Sequence, residues 1–201
     1  MKIHSKFSLL FLVAVMHSTL LPGAALADRF YVALVLPLSG PAAERGEKIR
    51  KGFMLATTQR DAHADEESDG HLGNLDSYVS VIDANGDVAT DIRRISTEGQ
   101  INIVASFATD KTRTLIKTLL AGKNIALLQS GPTPFGNKSL PAVSDFISAY
   151  SQAYGKNPTV AAAQGYNTAR RIDVAVRAQG GVNDLSLLRQ SFKQTATTFT
   201  W

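Results

Sequence analysis

The 201-residue chain carries 21 Lys and Arg against 17 Asp and Glu, a formal charge of +4, with 44% hydrophobic residues and no cysteine. The lack of cysteine excludes disulfides, thiol nucleophiles and thiolate metal sites. A charge this small leaves no electrostatic footprint for nucleic acid.

At the start of the chain Lys2 and Lys6 precede the apolar run Phe7 to Val15, and the small-residue site Ala25-Leu26-Ala27 precedes Asp28. This order is that of a secretory signal peptide over residues 1–27, with export to the periplasm and a mature start at Asp28. The apolar run is too short for a bilayer core that needs ~20 residues, and no later run is longer, so stable membrane insertion is not expected. Removing the leader takes 27 of the 201 residues and leaves 174, and it removes two Lys and no acid, so the charge falls from +4 to +2. One domain of ordinary size, with a sizeable core, is expected for residues 28–201.

Phe30 to Leu36 is continuously apolar and β-rich, as a strand buried on both faces must be, and it runs into the turn residues Pro37, Ser39, Gly40 and Pro41. From Ala42 to about Arg60 an apolar face of Ile49, Phe53, Leu55 and Ala56 alternates with outward charges, which predicts a helix. Residues 61–76 are acidic, glycine-bearing and without apolar period, and read as a solvated loop. Tyr78 to Ile82 is a second strand, Asn85-Gly86 a turn, and Asp87 the cap of a helix reaching about Glu98. Ile101 to Phe107 is a third strand, Thr109 to about Ala121 a helix, and Ile125 to Leu128 a fourth strand. Strands alternating with helices predict an α/β fold with a mainly parallel sheet flanked by helices. Beyond residues 131–141, rich in Pro and Gly, only helices are legible: about Ala142 to Tyr154, Thr159 to Ala178 and Asp184 to Lys193, before a β-branched end at Thr197 to Trp201.

Catalytic and metal chemistry find little support. Asp83, Asn85 and Asp87 hint at a calcium loop, but Gly86 comes one position early and Arg94 stands where a bidentate Glu is needed, whereas an Asn-Gly turn and a helix cap account for every residue. His63 and His71 flank Asp65, Glu66, Glu67 and Asp69 in the acidic stretch, which lacks the rigidity a metal site demands. Ser39 and Ser130 lie in no G-x-S-x-G elbow, and the turn from Ser39 to Gly46 lacks a P-loop ending. Neither an enzyme nor a cofactor is expected.

Open α/β sheets bind ligands outside the carboxyl ends of their strands, which directs attention to Pro37 to Gly46, Ser106 to Thr112 and Gln129 to Thr133. Thr109, where the third strand gives way to a helix, is either a plain N-cap or the holder of a carboxylate on the free N–H groups of the first turn.

Three blocks resemble a known family. Val32 to Ala56 (VALVLPLSGPAAERGEKIRKGFMLA) looks like the opening of type I periplasmic solute-binding proteins of the leucine/isoleucine/valine-binding class, with their PLSG loop and G-x-x-L-A helix. Val79 to Asp87 (VSVIDANGD) is similar to the second strand and its Asp-rich turn. Asp145 to Gly181 resembles the family's F-x-x-x-Y-x-x-x-Y-G-x-x-P and A-A-x-x-Y-[DN]-A helices. The resemblance implies a ligand, an amino acid or related small acid, held in a cleft between two lobes, and delivery to an ABC permease. By position Thr109, Gly131 and Thr133 match the family's ligand-facing hydroxyl and backbone groups. Ser130 neighbours them, and Arg45 falls where the opening loop offers an aromatic or other contact residue. The pattern stops near Thr133 and resumes near Leu140, where the family's second lobe is inserted. The expectation is therefore a single lobe, residues 28–133 and 140–201, bridged by residues 132–141. A protein-docking or dimerising module built on the exposed lobe face is the alternative, and a deletion remnant a third.

Overall fold

In the computed structural model, residues 29–60, 67–129 and 141–198 are described. The expected leader and nearly all of the expected bridge lie outside them. A strand β1 (Arg29–Leu36) is followed by a short 3-10 turn and helix α1 (Ala43–Thr58). A hairpin of β2 (His71–Leu72) and β3 (Leu75–Asp83) leads to α2 (Val88–Thr97), β4 (Ile103–Ser106), α3 (Asp110–Leu119) and β5 (Ala126–Gln129). Three helices close the described chain: α4 (Pro141–Tyr154), α5 (Val160–Gln179) and α6 (Leu185–Thr198).

The strands form one sheet in the order β2-β3-β1-β4-β5, parallel throughout except for the β2 edge. β1 lies at its centre, pairing Leu34 with Val81 on one side and with Ala105 on the other. Its side chains alternate between two cores. Phe30, Val32, Leu34 and Leu36 face a cluster with α1, α4, α5 and α6, while Ala33 and Val35 face a smaller one with α2 and α3. All six are fully buried, which is why the sequence shows no polar alternation there.

The acidic stretch is shorter as a loop than the charge pattern implies. His71–Leu72 and Leu75–Asp76 pair antiparallel around Gly73 and Asn74, whose φ values of 67° and 65° fit the mirror-image turn that matches strand twist. Leu72 is wholly buried, and the Gly73 N–H donates to Asp173 on α5 at 2.8 Å. That carboxylate, 3% exposed, also accepts from Arg177 at 2.7 Å and pairs with Arg60 at 3.5 Å, so it fastens the hairpin to α5 and to the chain just past α1. At the far end, α6 runs through Thr197 and Thr198, which the β-branched pattern set apart from the helix.

Helices α1 and α5 cross at glycines. A methyl group on Gly52 would overlap the carbonyl oxygen of Ala162, and one on Gly165 would overlap that of Ile49. The absence of two β-carbons lets the backbones touch, and the flanking Phe53, Ile49 and Ala162 are buried by the contact. Gly165→Ala is expected to destabilise the protein by about 3 kcal/mol, the upper part of the usual range for overpacking, because backbone must shift. Gly181→Ala, with open space around its Cβ position and no positive φ, serves as the control and should be neutral within about 0.5 kcal/mol in the same urea titration.

Candidate functional site

The crossover from β1 to β3 runs through α1 on one face of the sheet, and the later crossovers run through α2 and α3 on the other. The chain therefore changes sides at β1, and by topology the position that open α/β sheets use for ligands is the crevice outside the carboxyl ends of β1 and β4. Leu36 and Ser106 end the two strands, so the loops 37–42 and 107–109 form its walls.

The first wall is held from below by the end of β3. Asp83 Oδ1 accepts from the Leu38 N–H at 2.9 Å and from the Asn85 N–H at 3.0 Å, and the Asn85 side-chain amide donates to the Ser39 carbonyl at 2.7 Å. The Ser39 hydroxyl, followed by the Asn85 N–H, holds the Asp83 carboxyl below its ordinary value of 3.8. Gly40 takes a φ of 70°, and Gly46 brings the first turn of α1 against the Pro37 carbonyl, which leaves no room for a Cβ. Asp83 and Asn85 were read from the sequence as a strand end and a turn; their second role, across 45 residues to Leu38, has no local signal.

The second wall carries Thr109. It is exposed and caps α3, its hydroxyl accepting from the Thr112 N–H at 3.4 Å and donating to the Thr112 hydroxyl at 3.3 Å. Its neighbour Ser106 is buried, accepting from the Ala108 N–H at 3.4 Å. The N-cap reading of Thr109 thus holds, and the partial positive charge of a helix N-terminus stands beside it at the crevice.

Arg45 is placed elsewhere. It is exposed on the first turn of α1 and donates to Gln164 on α5 at 2.8 Å, within a hollow of about 630 Å³ between these helices that Lys48 and Thr159 also line. Arg45 and Thr109 share no hydrogen bond. Ser130, Gly131 and Thr133 lie outside the described residues. Asp87 caps α2 through Thr90, 3.1 Å to its N–H and 2.7 Å to its hydroxyl, as the turn-and-cap reading requires. Among the described residues no three His, Asp or Glu come together in a group that could hold a metal.

No protein-family model matches the chain, and no curated protein sequence matches it. Solved structures do. An ABC transporter substrate-binding protein from Sphaerobacter thermophilus superimposes with a TM-score of 0.61 at 12% identity, over 82% of this chain and 85% of that one. The fold is that of an ABC transporter substrate-binding protein. An amino acid ABC transporter substrate-binding protein from Pseudomonas fluorescens Pf-5 superimposes with a TM-score of 0.50 at 13% identity, over 82% and 83% of the two chains. No described helix is long and apolar enough to cross a membrane.

Asp83→Asn should lower stability by about 1 kcal/mol at neutral pH, the ordinary worth of such hydrogen bonds at a solvated position. A depressed carboxyl pKa contributes stability above the unfolded value and loses it as pH falls through the folded one. The melting temperatures of the parent and of Asp83→Asn should therefore converge below pH 3.8, as followed by circular dichroism.

Proposed function

We propose that the protein is the periplasmic substrate-binding component of an ABC uptake system for amino acids, of the branched-chain type, and acts by binding rather than catalysis. The observation that carries this reading is the pairing of the shared fold with an exposed, capped helix N-terminus after β4, Thr109, and a loop after β1 fixed by Asp83. A helix N-terminus receives carboxylates, and a loop with its backbone fixed in advance loses little entropy on binding. The α-carboxylate would rest on Thr109 and the first N–H groups of α3, with Gly131, Thr133 and Ser130 extending the site, while Arg45 stays with Gln164 in the hollow between α1 and α5. The leader at 1–27 would take the chain to the periplasm, where a permease would receive the ligand.

A single lobe covers one face of a ligand, whereas full pockets bury ~70 to 90% of its surface. Affinity should accordingly be weak. Titrating leucine, isoleucine and valine into the isotopically labelled protein should give dissociation constants in the millimolar range, with amide shifts centred on residues 107–112 and 38–40. Thr109→Val should weaken leucine binding about tenfold, since a buried polar contact is lost. Amino acids that shift no resonance in these two loops, or micromolar affinity for a monomer, would defeat the reading.

A further inference from the structure

Beyond the crevice, β5, α5 and α6 line an open cavity of about 800 Å³, within the size range of small-molecule sites. Its wall contains Arg171, 2% exposed. Buried cations are normally paired with an acid, because an isolated charge in the interior loses its hydration without return. Among the described residues Arg171 has no such partner. Its Nε donates to the Thr195 hydroxyl at 3.0 Å and one Nη to the Phe192 carbonyl at 2.7 Å, both neutral acceptors. Burial alone pushes its pKa down, with no acid acting against it. A guanidinium has five N–H donors, so three remain.

The remaining lining, among the described residues, adds positive charge and no negative. Arg189 and Lys193 stand four residues apart on the exposed side of α6, a helix with no acidic residue between Leu185 and Thr198. Leu127, Leu128 and Phe192 supply apolar surface. One turn before Arg171 on α5, Asn167 is wholly buried and neither its Oδ1 nor its Nδ2 is hydrogen-bonded to a described residue, so this stretch of helix holds two polar groups with unmet demand.

We propose that this cavity binds a small organic carboxylate with an apolar body, its carboxylate on the remaining donors of Arg171, its body against Leu127, Leu128 and Phe192, and Arg189 and Lys193 at the rim. A planar guanidinium fits a carboxylate through two parallel hydrogen bonds. The two rim cations draw anions in and make capture depend on salt. An apolar floor selects against small hydrated anions, which have nothing to bury there. The cavity shares no lining residue with the loops 37–42 and 107–109 and does not depend on the reading of the crevice at Thr109.

Benzoate and inorganic phosphate are the two probes, each titrated up to about 10 mM into the labelled protein with melting temperature followed in parallel. Benzoate should raise the melting temperature and shift residues 127–129 and 186–193, and phosphate should bind at least about tenfold more weakly. Arg171→Met should abolish benzoate binding while melting at or above the parent temperature, because an unpaired buried charge has been replaced by apolar volume. The exposed pair Arg189→Gln with Lys193→Gln provides a second test that does not touch the core: benzoate should bind several-fold more weakly and with a flatter salt dependence. Binding of benzoate by Arg171→Met as by the parent, equal binding of phosphate, or no response to benzoate would each overturn the proposal. Leucine shifts near Thr109 are read from different resonances, so either site can fail without the other.

Discussion

Backbone contact between α1 and α5, permitted by Gly52 and Gly165, is the constraint on which the larger core rests. Helix α1 is joined to the central strand and covers it, but α5 covers α1, and nearly every tie to the C-terminal third of the chain passes through α5. Gln164 reaches Arg45, Tyr166 donates to Gln59 at 2.6 Å, Arg171 reaches the α6 backbone and Asp173 holds the hairpin. Displacing α5 outward by the radius of a methyl group would stretch these contacts together, since close-packed interiors pass strain along instead of absorbing it.

The two faces of the sheet are covered by different means. On the α2 and α3 side, apolar side chains from short amphipathic helices, such as Ile92, Ile95 and Ile116, meet Ala33 and Val35. On the other side, aromatic rings fill the space beyond α1: Phe146 lies 4.6 Å from Tyr166 and 5.8 Å from Tyr150 between centroids, distances at which tilted rings attract. The Tyr154 hydroxyl donates to the Lys51 carbonyl at 3.0 Å, and the Lys51 ammonium stands 5.2 Å from the same ring. The layer that carries the polar ties is thus also the one with the bulky side chains.

Much of this order was legible in the residues. Long apolar runs and helical periodicity placed β1, α1, α2, α3 and α5 within a few positions, and the turn at Asn85-Gly86 and the caps at Asp87 and Thr109 follow from local hydrogen bonding. The hairpin at His71–Asp76 was not legible because its charges mask a period of two, although Gly73-Asn74 is itself a hairpin signal. Arg171 was equally hidden: of the adjacent Arg170 and Arg171, the sequence gives no sign of which will be buried or whether an acid from a distant element will meet it. The same holds for Asp83, whose partner Leu38 comes from another strand's loop. Of the site residues read from the family resemblance, Thr109 sits at the crevice and Arg45 at the α1–α5 hollow.

Dependence on α5 also sets the order in which the molecule can assemble. By Gln129 the five described strands have been made, yet the apolar half of β1 that faces α5 has only α1, and then α4, to cover it until residues 160–179 follow. A nascent chain paused before that point would carry a sticky, half-dressed sheet, the kind of surface that recruits chaperones or other copies of itself. Completion of the fold is postponed to the last fifth of synthesis, and the parallel strands cannot lock early on local contacts alone.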